Sequence, residues 1–291
     1  MPARRDLGLA GHAAGFCAEL VRTHDFARYA STLFLPAAPR RALLALYAFN
    51  VEISRVRDQV SQPLPGEIRL QWWTDMLAGA GHGGIEGNPV AAELLLAIGN
   101  ALLPVERLSR LIDEHQFDLY NDPMPTMAAL EGYIDETSSV LFSLAARIAG
   151  EQSAEIEHLA RHAGLAQGMA QVIAALPRDA SRRQLFVPAQ LLAQHGSGME
   201  EVFAGKQTPK LRAALDQLAG EARGHLTTAF TLLTSAPPQV RPAFLTLALV
   251  RRDLERMARA DNDPFVPHVA SRLATLWTLW RASRSREFRG G

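Results

Sequence analysis

The feature that most restricts the fold of this chain is a missing one. Nowhere do polar and apolar residues alternate over the length of a strand, whereas apolar residues return at three- and four-residue steps between prolines and glycines. Residues 39–60 open with Pro39, suited to a first helical turn, and place Leu43, Leu46, Tyr47, Phe49, Ile53 and Val56 on one face. Residues 65–79 start at Pro65 and carry Ile68, Leu70, Trp72, Trp73 and Met76, and a third run over 90–103 ends before Pro104. The pattern predicts further helices over 105–119, over 126–149 with Gly150 as its cap, and over 152–176, stopped by Pro177. Residues 177–186 read as a polar, arginine-rich loop, followed by a short helix from Pro188. Helices over 208–234 and 239–260 are separated by the breaker Ser235-Ala-Pro-Pro238. The last segment, 269–283, is apolar on one side (Val269, Leu273, Leu276, Trp277, Trp280) and basic on the other. Leu and Ala, both strong helix formers, dominate the chain. The expectation is an all-α protein, one domain over 1–291, folded as a large helical bundle around a central cavity.

Charge and cysteine usage narrow the function. Lys+Arg and Asp+Glu both total 30, so no global field recruits nucleic acid, and no nucleic-acid partner is expected. The single cysteine, Cys17, cannot form an internal disulfide and sits in an apolar run, which reads as packing in a reducing compartment. No apolar run reaches the roughly 20 residues that span a bilayer, and the start Met1-Pro-Ala-Arg-Arg-Asp6 is not a secretory signal. These features lead to an expected bacterial cytoplasmic location with at most peripheral membrane contact, or the mitochondrial matrix for a eukaryotic chain.

Three stretches carry a likeness to known proteins: Phe34-Leu-Pro-Ala-Ala-Pro-Arg-Arg-Ala-Leu-Leu-Ala-Leu-Tyr-Ala-Phe49, Gly164-Leu-Ala-Gln through Arg182-Arg-Gln-Leu-Phe-Val-Pro188, and Arg272-Leu-Ala-Thr-Leu-Trp-Thr-Leu-Trp280. With them the chain resembles the squalene/phytoene synthase family nearly end to end. The resemblance implies the all-α isoprenoid synthase fold and the head-to-head joining of two prenyl diphosphates. Ionising a diphosphate requires its charge to be neutralised, for which Mg²⁺ and its carboxylate ligands serve. Two Asp pairs at i,i+4 spacing, each on one helix face, supply those ligands in the family.

Laid on that template, the first motif falls on Ser54 and Asp58, with Arg55 in place of a neighbouring Asp and Val51 in place of a phosphate-binding Arg. The second falls on Ala175 and Asp179, with Gln171 replacing an Asn one turn earlier. Each helix keeps one carboxylate and loses one, and Arg55 and Arg57 add positive charge where a cation was to bind. The strings Phe49-Asn-Val-Glu-Ile-Ser-Arg-Val-Arg-Asp-Gln-Val-Ser61, Gly164-Leu-Ala-Gln-Gly168 and Ser181-Arg-Arg-Gln-Leu-Phe-Val-Pro188 are similar to the complex I assembly factor 6 branch, whose Asp motifs are eroded. That likeness implies a non-catalytic or weakly catalytic role in maturing respiratory complex I, with complex I subunits or other assembly factors as partners. Two alternatives stand beside it. One is a prenyltransferase with an atypical Mg²⁺ site, with Asp58, Asp179 and Tyr133 as catalytic candidates and Asp58, Asp179, Asp113 and Asp118 as metal candidates. The other is a protein that binds a prenyl diphosphate or lipid in the cavity through Arg178, Arg182, Arg183, Gln171 and Ser54.

Other residues admit a structural or a functional reading. Asp113, Glu114 and Asp118 belong either to a solvated helix end or to a replacement ligand set. Leu141, where the family favours glycine, is expected to narrow the cavity. His158 and His162 are four apart with no third ligand at matching spacing, which reads as surface histidines. Trp72 and Trp73 read as core, and the last helix reads as a cap on the bundle, with a membrane-surface helix as the alternative.

Overall fold

In the computed structural model, residues 3–80 and 87–289 are described, with side chains from residue 11 onward. Residues 1–6, weighed above as a targeting segment, fall outside the described side chains. Sixteen α-helices follow one another among the described residues: α1 (Ala3–His24), α2 (Phe26–Thr32), α3 (Ala37–Ser54), α4 (Val56–Gln59), α5 (Pro63–Leu77), α6 (Pro89–Ala101), α7 (Val105–Glu114), α8 (Met127–Ile134), α9 (Val140–Ile148), α10 (Ala154–Ser181), α11 (Ala189–Gln194), α12 (Met199–Phe203), α13 (Pro209–Ser235), α14 (Leu247–Met257), α15 (Arg272–Ala282) and α16 (Arg286–Arg289). None of them is long and apolar enough to cross a membrane. The starts follow capping chemistry: the side chains of Asn88, Thr126, Ser153, Thr208 and Ser271 each accept a hydrogen bond from an amide of the first turn. Gly150, in the left-handed region at φ 98°, ends α9 as its position predicts.

One cluster of buried side chains extends from Cys17 to Phe288. The long helices α10 and α13 pack on each other, α9 and α14 lie against α10, and α1, α3 and α6 pack together on another side. Trp73 is buried with its ring edge-on to Phe49 at 5.2 Å, and Phe142 stacks on Phe244 at 5.5 Å. Cys17 is buried in this core, where burial, helped by Glu93, pushes its thiol up to about 12, so it packs rather than reacts.

Several boundaries differ from the sequence pattern; the 239–260 helix, for one, opens as a 3₁₀ turn, Arg241–Phe244, and becomes α14 only at Leu247. The 39–60 helix breaks at Arg55 (φ −99°, ψ 2°), which ends α3 and turns α4 away from its axis. The 105–119 helix ends at Glu114 and finishes in a 3₁₀ turn, Phe117–Leu119. The 126–149 helix contains a π turn, Asp135–Ser139, whose extra residue re-aims the chain. Pro177 does not stop α10, which runs on to Ser181. Proline removes only one intrahelical hydrogen bond here, and buried Leu176, Asp179 and Ala180 hold the next turn in place. That extension places Gln171, Ala175, Arg178, Asp179 and Arg182 on or beside one helix instead of dividing them between a helix and a loop.

The family-like string Gly164-Leu-Ala-Gln-Gly168 finds its reason in packing. A Cβ on Gly164 would stand 2.3 Å from the Cα of Ser139, and one on Gly168 would stand 2.5 Å from Cγ2 of Ile134. The two glycines therefore let α10 approach the α8–π-turn segment closely enough to form one wall of the cavity.

Candidate functional site

Between the ends of α3 and α4, the π turn and the face of α10 lies a cavity of about 600 Å³. Ser54, Asp58, Tyr133, Asp118, Gln171, Arg178, Asp179 and Arg182 all line it. Two candidates do not: Asp113 is exposed, outside the cavity lining, and Arg183 pairs with Glu200 at 2.9 Å while its guanidinium lies 4.7 Å from the Phe203 ring centre. Arg183 takes a left-handed backbone, φ 55°, at the end of α10. Leu141 is buried but stands behind the wall, and Thr137 and Ser138 of the π turn present themselves to the cavity instead.

Three carboxylates of the cavity are paired with arginines, and a fourth, Asp118, is held by tyrosine and histidine. Asp58 on α4 accepts from Nη1 of Arg182 at the end of α10. Asp179 Oδ1 accepts from Nε of Arg178 at 2.9 Å. Asp25 caps α2 and accepts from Nη1 of Arg28 at 2.8 Å. Asp118 accepts from the hydroxyl of Tyr133 at 2.8 Å and contacts Nδ1 of His115 at 2.7 Å. Burial raises the Asp179 carboxyl above its usual range, and Asp118 adds to the rise against the pull of Arg178 and Arg182. Burial, then the neighbouring Asp118, raises Tyr133 well above the ordinary phenol, so its hydroxyl stays a donor.

This donor set does not fit Mg²⁺. A hard dication needs several carboxylate oxygens converging on one point. Here Ser54 and Ala175 contribute no carboxylate, and the remaining ones are already neutralised by arginine or bound to histidine and tyrosine. Among the described residues no group of three or more His, Cys, Asp or Glu is placed to hold a metal ion.

Several lining residues escaped the sequence reading: His24, Asp25, Arg28, Asn50, His115 and Ser138. Asp25 and Arg28 are three apart, and Asn50 is a polar residue inside an apolar helical face, so both left a faint signal. Three polar atoms of the lining are buried without a partner among the described residues: Nε of Arg57, Nε2 of His115 and Oγ of Ser138. The Arg55 guanidinium also has no hydrogen-bond or ion-pair partner among the described residues.

Away from the cavity a third histidine joins His158 and His162, in an arrangement that does not form a metal site among the described residues. His225 on α13 approaches His162 with its Nδ1 2.8 Å from that of His162, and His158 stands 3.1 Å away on the other ring nitrogen. Burial lowers the His162 pKa, His225 and His158 lower it further, Arg161 adds a like charge, and Asp135 opposes them. A histidine with a depressed folded pKa costs stability as pH falls below its ordinary 6.5, because the unfolded chain then takes up the proton first. Thermal midpoints measured at pH 7.5 and 5.0 should therefore converge in His162→Gln relative to the parent; an equal drop in both proteins would rule out this cluster as a source.

The comparisons with known proteins address the family and the fold. The family model for squalene/phytoene synthase matches residues 21–281. The chain is 33% identical over 252 residues to NADH dehydrogenase (ubiquinone) complex I, assembly factor 6, of Mus musculus, covering 87% of this chain and 76% of that one. It is 26% identical over 209 residues to phytoene synthase of Thermus thermophilus, covering 70% and 69% of the two chains. A crystal structure of a dehydrosqualene synthase with ligand superposes with a TM-score of 0.82 at 15% identity, covering 94% of this chain and 96% of that chain. A helical bundle of this architecture around a cavity, together with a family match over most of its length, places this chain in the squalene/phytoene synthase family.

Proposed function

We propose that this chain is a non-catalytic member of its family that acts in the assembly of respiratory complex I. The observation that carries the reading is the pairing of Asp58 with Arg182 and of Asp179 with Arg178. The carboxylates that would gather Mg²⁺ around a diphosphate are engaged by arginines of the chain, and a dication would have to compete with them. Leaving-group neutralisation is the demanding part of such chemistry, so the ionising step has no support here. The 33% identity to the mouse assembly factor over 87% of the chain supports the direction of the proposal.

Two measurements test it. Purified protein with Mg²⁺ and farnesyl diphosphate is expected to release no diphosphate, and deletion of the gene is expected to lower the level of assembled complex I. Mg²⁺-dependent release that disappears in Asp179→Ala would make the chain a prenyltransferase, and normal complex I in the deletion strain would sink the assembly role.

The unpartnered Arg57, His115 and Ser138 atoms favour a second reading for the cavity itself. Buried polar groups without partners cost free energy unless something satisfies them, and together with Arg55 they suit an anionic ligand such as a prenyl diphosphate or a lipid head group. On this reading binding survives EDTA and weakens in Arg55→Ala.

A further inference from the structure

The last long helix does not cap the bundle with its apolar stripe. Thr275 and Leu279 of α15 face inward and are buried, whereas Leu273 is 79% exposed and Trp277 59%. Val269, just before the helix, is 89% exposed, and Trp280 continues the stripe at 38%. The steps from 273 to 277 and 280 keep Leu273, Trp277 and Trp280 on one face of α15. The two indoles stack, with ring centres 5.0 Å apart. A helix that is apolar on both faces is using the outer one for something other than its own core.

The charges around the stripe are mostly positive, although Glu19 of α1 lies within electrostatic range of Arg272 and exposed Asp261 and Asp263 precede the segment. Arg272, Arg281, Arg284, Arg286 and Arg289 are all exposed, and Arg284 lies 3.9 Å over the Trp280 ring. Between residues 264 and 289 the one acidic residue is Glu287, which is paired with Arg251 at 3.0 Å. An apolar stripe carrying two exposed tryptophans and bordered mainly by arginines complements a surface that is anionic above and apolar below.

We propose that α15 with its flanking residues docks this chain on the anionic face of a lipid bilayer, peripherally, with Leu273, Trp277 and Trp280 at the head-group boundary. A protein partner would be expected to meet five arginines with a patterned set of acids. A bilayer needs only a negative surface potential, to which each arginine adds about a fivefold gain in partitioning. This inference is independent of the complex I reading, and neither outcome below alters that proposal.

The test is sedimentation of the full chain with vesicles of phosphatidylcholine alone and of phosphatidylcholine mixed with phosphatidylglycerol, which gives the surface a negative potential. The expected result is binding to the anionic vesicles, little to the neutral ones, and release in high salt. Leu273→Ser with Trp277→Ser should lower partitioning more than tenfold, and Arg281→Gln with Arg284→Gln about 25-fold. These side chains are exposed, so circular dichroism should show all variants folded. The proposal is overturned if the folded chain ignores anionic vesicles or if the Leu273/Trp277 variant binds as well as the parent. It is equally overturned if the chain binds only protein-bearing membranes and loses that binding on trypsin treatment, which would assign the face to a membrane protein.

Discussion

Gly164→Val is expected to unfold this protein or to lower its thermal midpoint by roughly 10 °C or more. The reason is steric and local. Even a Cβ at 164 meets the Cα and Oγ of Ser139 at 2.3 Å and its amide nitrogen at 2.4 Å. Two of those atoms are backbone and cannot rotate aside. Ser139 is itself anchored, donating to Asp135 at 3.0 Å and to the carbonyl of Arg161 at 3.2 Å. Relief requires α10 to move off the π turn, which opens the wall formed by Thr137, Ser138, Gly168 and Gln171. Overpacking of this kind costs about 3 kcal/mol or more, and a chain of this size loses roughly 2–4 °C per kcal/mol. Gly220, an exposed glycine inside α13 with nothing within 4 Å, is the control: Gly220→Ala should be neutral or stabilising by about 0.5–1 kcal/mol. Equal midpoints for Gly164→Val and the parent would remove the close approach as the reason for the glycine pair.

What could be read from the chain depended on range. Helical periods, prolines at first turns and the cap at Gly150 are set by neighbours a few residues apart, and they carried the all-α fold and most helix positions. Pro177 was misleading because its local penalty is smaller than the packing gained by Leu176 and Ala180, which no local rule contains. Ser54 and Ala175 were legible as departures from the family's Asp spacing, but the pairing of Asp58 with Arg182 was not. Arg182 and Asp58 are 124 residues apart in the chain, and only the fold brings them together. His225 is likewise 63 residues from His162. The stripe on α15 was visible as periodicity, yet periodicity cannot say which of two apolar faces meets the core. Thr275 and Leu279 took the inner position, and the tryptophans were left outside.

The same dependence on distant partners makes Arg41→Ala a strongly destabilising change. Glu93 on α6 keeps only 2% of its side chain exposed, and Arg41 on α3 grips it through a fork, Nε to Oε2 and Nη2 to Oε1, both at 2.8 Å. Truncating the arginine leaves a carboxylate inside the α1–α3–α6 packing without its main cation, and breaking a buried pair from one side costs about 3–5 kcal/mol. The midpoint should fall by roughly 10 °C. Because the loss comes from the stranded charge and not from the absent bridge, Arg41→Ala combined with Glu93→Met should recover most of it. A double variant as unstable as the single one would show instead that the fork positions α3. In that case the cavity residue at the far end of α3, Ser54, should shift as well, and EDTA-resistant ligand binding at the cavity would weaken together with stability.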